Sequence, residues 1–228
     1  MKLCVYDTET TGLPAYSEPS DSPNQPHLVE LAALLADPEH GIIERVSHII
    51  KPDGWGWGAD DEAFKVHGIT FERAMDEGIP EPEAIYNFLQ LVAKADMRVA
   101  HNENFDAKMA RIAMKRYGDG VDDGEAHWSQ YSQDGKDEIA DRFANMPKYC
   151  TMRGATKDCR LPATDTMRAK KMGHLFKNPS LTEAYLHYFG VEPPSAHRAL
   201  IDAESCWDVY LAIQRHDPAT ILAAKASA

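Results

Sequence analysis

Short apolar runs broken by turn residues dominate the first fifty positions. Residues 2–6 (KLCVY), 28–36 (LVELAALLA) and 42–50 (IIERVSHII) read as three successive strands, with Gly41 at the second turn. Strands this close in sequence form a meander that is antiparallel in part. Further along, the period lengthens. Ile85, Phe88, Leu89 and Val92 recur at helical spacing within 82–95. Shorter helices are expected over 62–66 and 70–77, then a strand over 98–100 and a helix over 104–117. Residues 148–152 read as another strand. Ser180 with Glu183 forms a capping-box pattern opening a helix over 181–189 that Gly190 stops. A last helix is expected over 199–214. Strands interleaved with helices in this order predict an α/β domain, a mixed sheet covered by helices.

Three segments break the pattern. Residues 17–26 (SEPSDSPNQP) are a polar, proline-rich loop. Residues 53–61 (DGWGWGADD) fit either a surface Ω-loop or a flap facing substrate. Residues 118–146 are acidic and poor in large apolar side chains. They read as a surface insertion, with a short helix over 137–146, that could choose substrate or recruit a protein partner. The chain, residues 1–228, is otherwise read as a single domain with a short tail from about 215. That tail shows no long linker or extended apolar segment.

Hydrophobic content of 43% and charged content of 26% are ordinary for a globular protein. The net charge of −12 argues against a broad basic patch gripping duplex DNA, but not against binding through metal ions. One basic stretch, 168–177 (RAKKMGHLFK), fits a backbone-phosphate contact and a solvated loop equally well. The four cysteines form no CxxC pair. Cys150, Cys159 and His174 match no common zinc spacing. Cys4 and Cys206 sit in apolar patterns and read as buried thiols of a reducing compartment. No apolar leader or membrane-length run is present, so a cytoplasmic protein without membrane contact is expected.

The chemistry begins at DTETTG, 7–12. Residues two apart in a strand share a face, so Asp7 and Glu9 point the same way where the first strand ends. Paired carboxylates repel unless something positive lies between them. Hard oxygen donors suit Mg²⁺ or Mn²⁺. Three further patterns follow: VHGIT at 66–70, HNENFD at 101–106 with Asp106 in the first turn of a helix, and HRALIDA at 197–203 with His197 five residues before Asp202.

This ordered set resembles the DEDDh exonuclease family, which includes the proofreading epsilon subunit of bacterial replicative polymerase and ribonuclease T. The resemblance implies a ribonuclease H-like fold with a mixed five-stranded sheet. It implies that Asp7, Glu9, Asp106 and Asp202 hold two divalent cations, Mg²⁺ or Mn²⁺, with Asp7 shared between them, and that His197 is the general base. An imidazole suits that task because its ordinary pKa of ~6.5 lets it accept a proton at neutral pH. Thr10, Thr11, Gly12 and Leu13 match the stretch that contacts the terminal nucleotide, and Asn102 and Phe105 match positions lining the same pocket. The implied activity is 3′→5′ exonucleolytic hydrolysis of single-stranded ends to nucleoside 5′-monophosphates, with DNA favoured and RNA open. Two alternatives fit the same residues: an oligoribonuclease-like hydrolase of very short oligonucleotides, and a non-catalytic nucleic-acid-binding accessory subunit.

Overall fold

The computed structural model describes residues 1–116, 132–194 and 197–226. Its sheet has five strands in the order β3-β2-β1-β4-β5. β1 (Leu3–Thr10), β2 (Leu28–Asp37) and β3 (Gly41–Ile49) form the antiparallel meander. β4 (Met97–Ala100) and β5 (Lys148–Cys150) run parallel to β1. This is the mixed five-stranded sheet flanked by helices that was expected.

The alternation of β1 explains the layers. Cys4 and Tyr6 face a core shared with α3 (Glu81–Val92), α4 (Glu103–Arg116) and α5 (Gln133–Asn145), built around Phe88, Met109 and Phe143. Leu3 and Val5 face the other way, against Ala203, Cys206, Trp207 and Tyr210 of α9 (Ala199–Ile213). β2 lies between two strands and beneath both layers, so all ten of its residues are buried. The buried ion pair between Arg98 on β4 and Glu103 ties the start of α4 to the sheet, and Tyr6 Oη lies against both. α8 (Leu181–Phe189) begins with the expected capping box and ends at Gly190 in the left-handed region (φ 71°).

Several expectations are corrected. β1 continues four residues past 2–6, because pairing with β2 carries the ladder through the polar residues to Thr10. Asp7 and Glu9 therefore lie inside the strand. The strand at 148–152 is shorter, since Thr151 opens α6 (Thr151–Cys159), a helix with only two buried residues and hence no apolar stripe to read. α7 (Asp165–Ala169) is a single capped turn. The tail contains α10 (Pro218–Ala226), held by buried Ile221 and by the Lys225–Asp208 ion pair at 2.9 Å. Within the proposed insertion, α5 starts at a Ser132 cap and buries Ala140 and Phe143, so this part is core and not a solvated decoration. The rest of that reading, 118–131, lies outside the described residues. α1 (Glu62–His67) and α2 (Phe71–Glu77) stand where short helices were expected.

Candidate active site

Because β1, β4 and β5 are parallel, their carboxyl ends share one edge of the sheet, the edge at which sites of α/β sheets gather. The parity that sends Leu3 and Val5 toward α9 sends Asp7 and Glu9 there too. Asp202 stands in the first turn of α9. Ligand atoms of Glu9, His197 and Asp202 all lie within 4.8 Å of one another. Asp106 comes from the opposite layer, in the first turn of α4. Thr8, between the two strand acids, points toward α4 and holds it: the Thr8 hydroxyl donates to Asp106 Oδ1 at 2.9 Å and the Thr8 N–H at 3.2 Å.

The electrostatics follow from this crowding. Removal from water, then Asp106, Asp202 and Glu9, push the Asp7 carboxyl well above the ordinary range. Burial, then Asp202 and Glu30, push Glu9 up to about 8. Burial pushes Asp106 up to about 7 against the opposing Thr8 hydrogen bonds. Burial raises Asp202 as well, opposed by the His197 N–H that donates to its Oδ2 at 2.9 Å. Four carboxyls that resist ionisation together, all hard oxygen donors, fit divalent cations.

The other expected residues lie in the turn after β1 and around the start of α4. Thr10 is buried and donates its hydroxyl to the Gly12 carbonyl at 2.9 Å, closing the turn after β1. Thr11 and His27 exchange hydrogen bonds at 3.0 Å, tying the turn to the start of β2. Leu13 is 80% exposed, an apolar side chain without cover. A Cβ at Gly12 would meet nothing within 4 Å, so that backbone is open to a ligand. Asn102 is exposed just beyond β4 with φ 76°, and Phe105 is partly buried against the core. His197 is exposed and also left-handed, φ 69°. Two expected site residues thus occupy the strained left-handed region.

Other motifs have structural roles. His67 of VHGIT is buried, its Nδ1 accepts the Ile69 N–H at 3.0 Å, and Thr70 caps α2. Trp55 stacks on His27 (4.1 Å, 9°), and Trp57 donates to the Ile69 carbonyl at 2.8 Å, so both rings pack on their own chain. The basic stretch folds beyond the far end of α6, where Lys177 N–H donates to the Leu161 carbonyl. Grooves of about 410 and 990 Å³ open on the α3–α5 and α9–α10 faces, and neither contains one of the acids.

Three residues near the acids were not anticipated: Thr8, Glu30 and Arg198. Glu30 carried a signal, as the one charged residue in the apolar run 28–36.

A mixed five-stranded sheet flanked by helices, with acids gathered from β1 and from both helical layers, is the ribonuclease H-like fold. The chain belongs to the RNase T exonuclease family, whose model, described as an exonuclease, matches residues 4–132. Asp7, Glu9 and Asp106 fall inside that range; His197 and Asp202 join them through the fold. Exonuclease I of E. coli, solved with a dA16 oligonucleotide, superposes with a TM-score of 0.60 at 16% identity, covering 96% of this chain and 42% of that one. The same protein with a 5cy-dT13 oligonucleotide gives 0.61 at 18%, with the same coverage. The moderately thermophilic exonuclease I of Methylocaldum szegediense gives 0.57 at 19%, again with 96% and 42% covered. The chain therefore spans about two fifths of the length of these solved relatives. No curated protein sequence matches it. Among the described residues, no helix is long and apolar enough to cross a membrane.

Proposed function

We propose that the chain is a metal-dependent 3′→5′ exonuclease that removes nucleoside 5′-monophosphates from single-stranded ends, with DNA the favoured strand and RNA a substrate to be tested beside it. The observation that carries this reading is the convergence of Asp7 and Glu9 from one strand, β1, Asp106 and Asp202 from the first turns of two helices, and His197 from the residues just before α9. The exonuclease family supports the reaction class, and the oligonucleotides bound to E. coli exonuclease I support a single strand as substrate. Asp7, Glu9, Asp106 and Asp202 would hold two cations, Mg²⁺ or Mn²⁺. When bound, these supply charge neutralisation at the phosphate and activation of water.

The chain's own groups do the rest. His197 takes the proton of the attacking water. Its backbone is tethered through its N–H, which leaves the exposed ring free to do so. Thr8 fixes the Asp106 carboxyl so that it does not have to be ordered during the reaction. The open turn at Gly12 admits the terminal nucleotide, and Leu13 gives its base an apolar surface. Thr10 and Thr11 hold that turn in place, and Asn102 and Phe105 would line the same pocket. Cys4, Cys150, Cys159 and Cys206 are free thiols, which supports a cytoplasmic setting. The test is digestion of single-stranded DNA and RNA labelled at the 5′ end, with Mg²⁺ or EDTA. A metal-dependent ladder shortening from the 3′ end supports the reading. Label released at once as a mononucleotide, or no cleavage, refutes it.

A further inference from the structure

Glu30 is 1% exposed and stands directly opposite Glu9 on the neighbouring antiparallel strand, so both side chains share the α9 face. A fifth carboxylate beside four others is costly unless it is paired. Its partners are all on one short segment. Arg198 Nη2 donates to Oε1 at 3.0 Å and Nε lies 3.3 Å from each oxygen. The Ala199 N–H, first of α9, donates to Oε2 at 2.9 Å. Arg198 flanks α9 with no side-chain cap of its own, so Glu30 satisfies the helix start from across the sheet. Immediately before it, His197 is held left-handed with its N–H on Asp202. Residues 197, 198 and 199 are thus anchored in succession by two carboxylates. Among the described residues, no hydrogen bond holds the His197 ring itself, so its placement depends on this backbone.

We propose that Glu30 and Arg198 form a clamp that positions His197 for proton transfer, which makes Glu30 a positioning residue and not a metal ligand; the proposal rests on the exonuclease reading above. Both Glu30 oxygens are already committed to donors. The planar fork of Arg198 fixes direction as well as distance, which a lysine cannot reproduce.

The experiment compares wild type with Glu30→Gln, Arg198→Ala, Arg198→Lys and the Glu30→Gln/Arg198→Ala double variant. The substrate is a single-stranded oligonucleotide in Mg²⁺, and thermal midpoints are recorded. Arg198 is partly exposed, so its variants keep the test alive should Glu30→Gln fail to fold. Misplacing a catalytic group by an ångström costs up to about 100-fold. Expected, therefore, is a fall in kcat of about 10- to 100-fold in each single variant, with KM within about threefold. The double variant is no slower than the slower single one, and Arg198→Lys recovers part of the loss. A folded Arg198→Ala protein with wild-type kcat overturns the clamp, as do single effects that multiply in the double variant. Recovery of Glu30→Gln at raised Mg²⁺ or Mn²⁺ overturns it too, by making Glu30 a ligand. A wild type inactive on every strand overturns the exonuclease reading and the clamp with it, whereas an active wild type matched by Arg198→Ala overturns the clamp alone.

Discussion

Replacing one of the clustered carboxylates should make the metal-free protein more stable. Glu9→Gln is the clearest case, because it keeps the shape of the side chain and removes only its charge. Burial and the neighbouring acids push Glu9 from 4.5 up to about 8. At ~1.4 kcal/mol per pKa unit the full shift corresponds to roughly 5 kcal/mol of penalty on the folded state when Glu9 is ionised. Sharing protons with Asp7 and Asp106 and relaxation of the site reduce this to about 2 kcal/mol for one substitution. The sign follows from proton counting. Between the ordinary glutamate range and about pH 8, the folded state holds a proton that the unfolded state has lost. Stability therefore falls as pH rises through that window, and nothing is lost below it. Thermal unfolding in EDTA at pH 8 should give Glu9→Gln a midpoint roughly 4–8 °C above wild type, at 2–4 °C per kcal/mol for a chain of this length. The gap should close near pH 5. Adding Mg²⁺ or Mn²⁺ should raise the wild-type midpoint and leave the variant's nearly unmoved. A Glu9→Gln protein less stable than wild type at pH 8 in EDTA would refute the crowded-carboxylate account.

Three further outcomes follow from the same geometry. His197→Ala should lower kcat by about 10²–10⁴-fold, read by oligonucleotide digestion in Mg²⁺; a kcat near that of wild type would show that another group is the base. Thr8→Val keeps the N–H bond but deletes the hydroxyl that holds Asp106, so kcat should drop by about tenfold with an unchanged thermal midpoint, read by single-turnover digestion. Asn102 has φ 76°, so Asn102→Gly should hold or raise the unfolding midpoint, whereas Asn102→Val should cost about 1–2 kcal/mol by denaturant titration.

Much of this site was readable from local sequence because its logic is local. Period-two alternation places Asp7 and Glu9 on one face, and first-turn positions place Asp106 and Asp202 at helix starts. The same alternation separates the two cores, so one pattern fixed both packing and chemistry. What escaped depends on contacts far apart in the chain. Glu30 meets Arg198 across 168 positions, and only the register opposite Glu9 brings it to the site. Thr8 holds Asp106 across 98 positions. The end of β1 was misjudged because polarity marks solvent in most strands, and here it marks a site within a paired ladder. α5 was underestimated for a related reason. Its surroundings are acidic, yet Ala140 and Phe143 are enough to bind one face of it to Tyr6 and Phe88.

Asp7, crowded by Asp106, Asp202 and Glu9, is the proposed centre of metal-dependent cleavage. The measurement is digestion of matched single-stranded DNA and RNA, labelled at the 5′ end, with wild type and Asp7→Ala side by side in Mg²⁺ and in EDTA. Wild type in Mg²⁺ alone should give a ladder shortening from the 3′ end, and a folded Asp7→Ala protein should give none. Wild-type-like cleavage by that variant, or cleavage by wild type that persists in EDTA, would rule out a metal site built on Asp7.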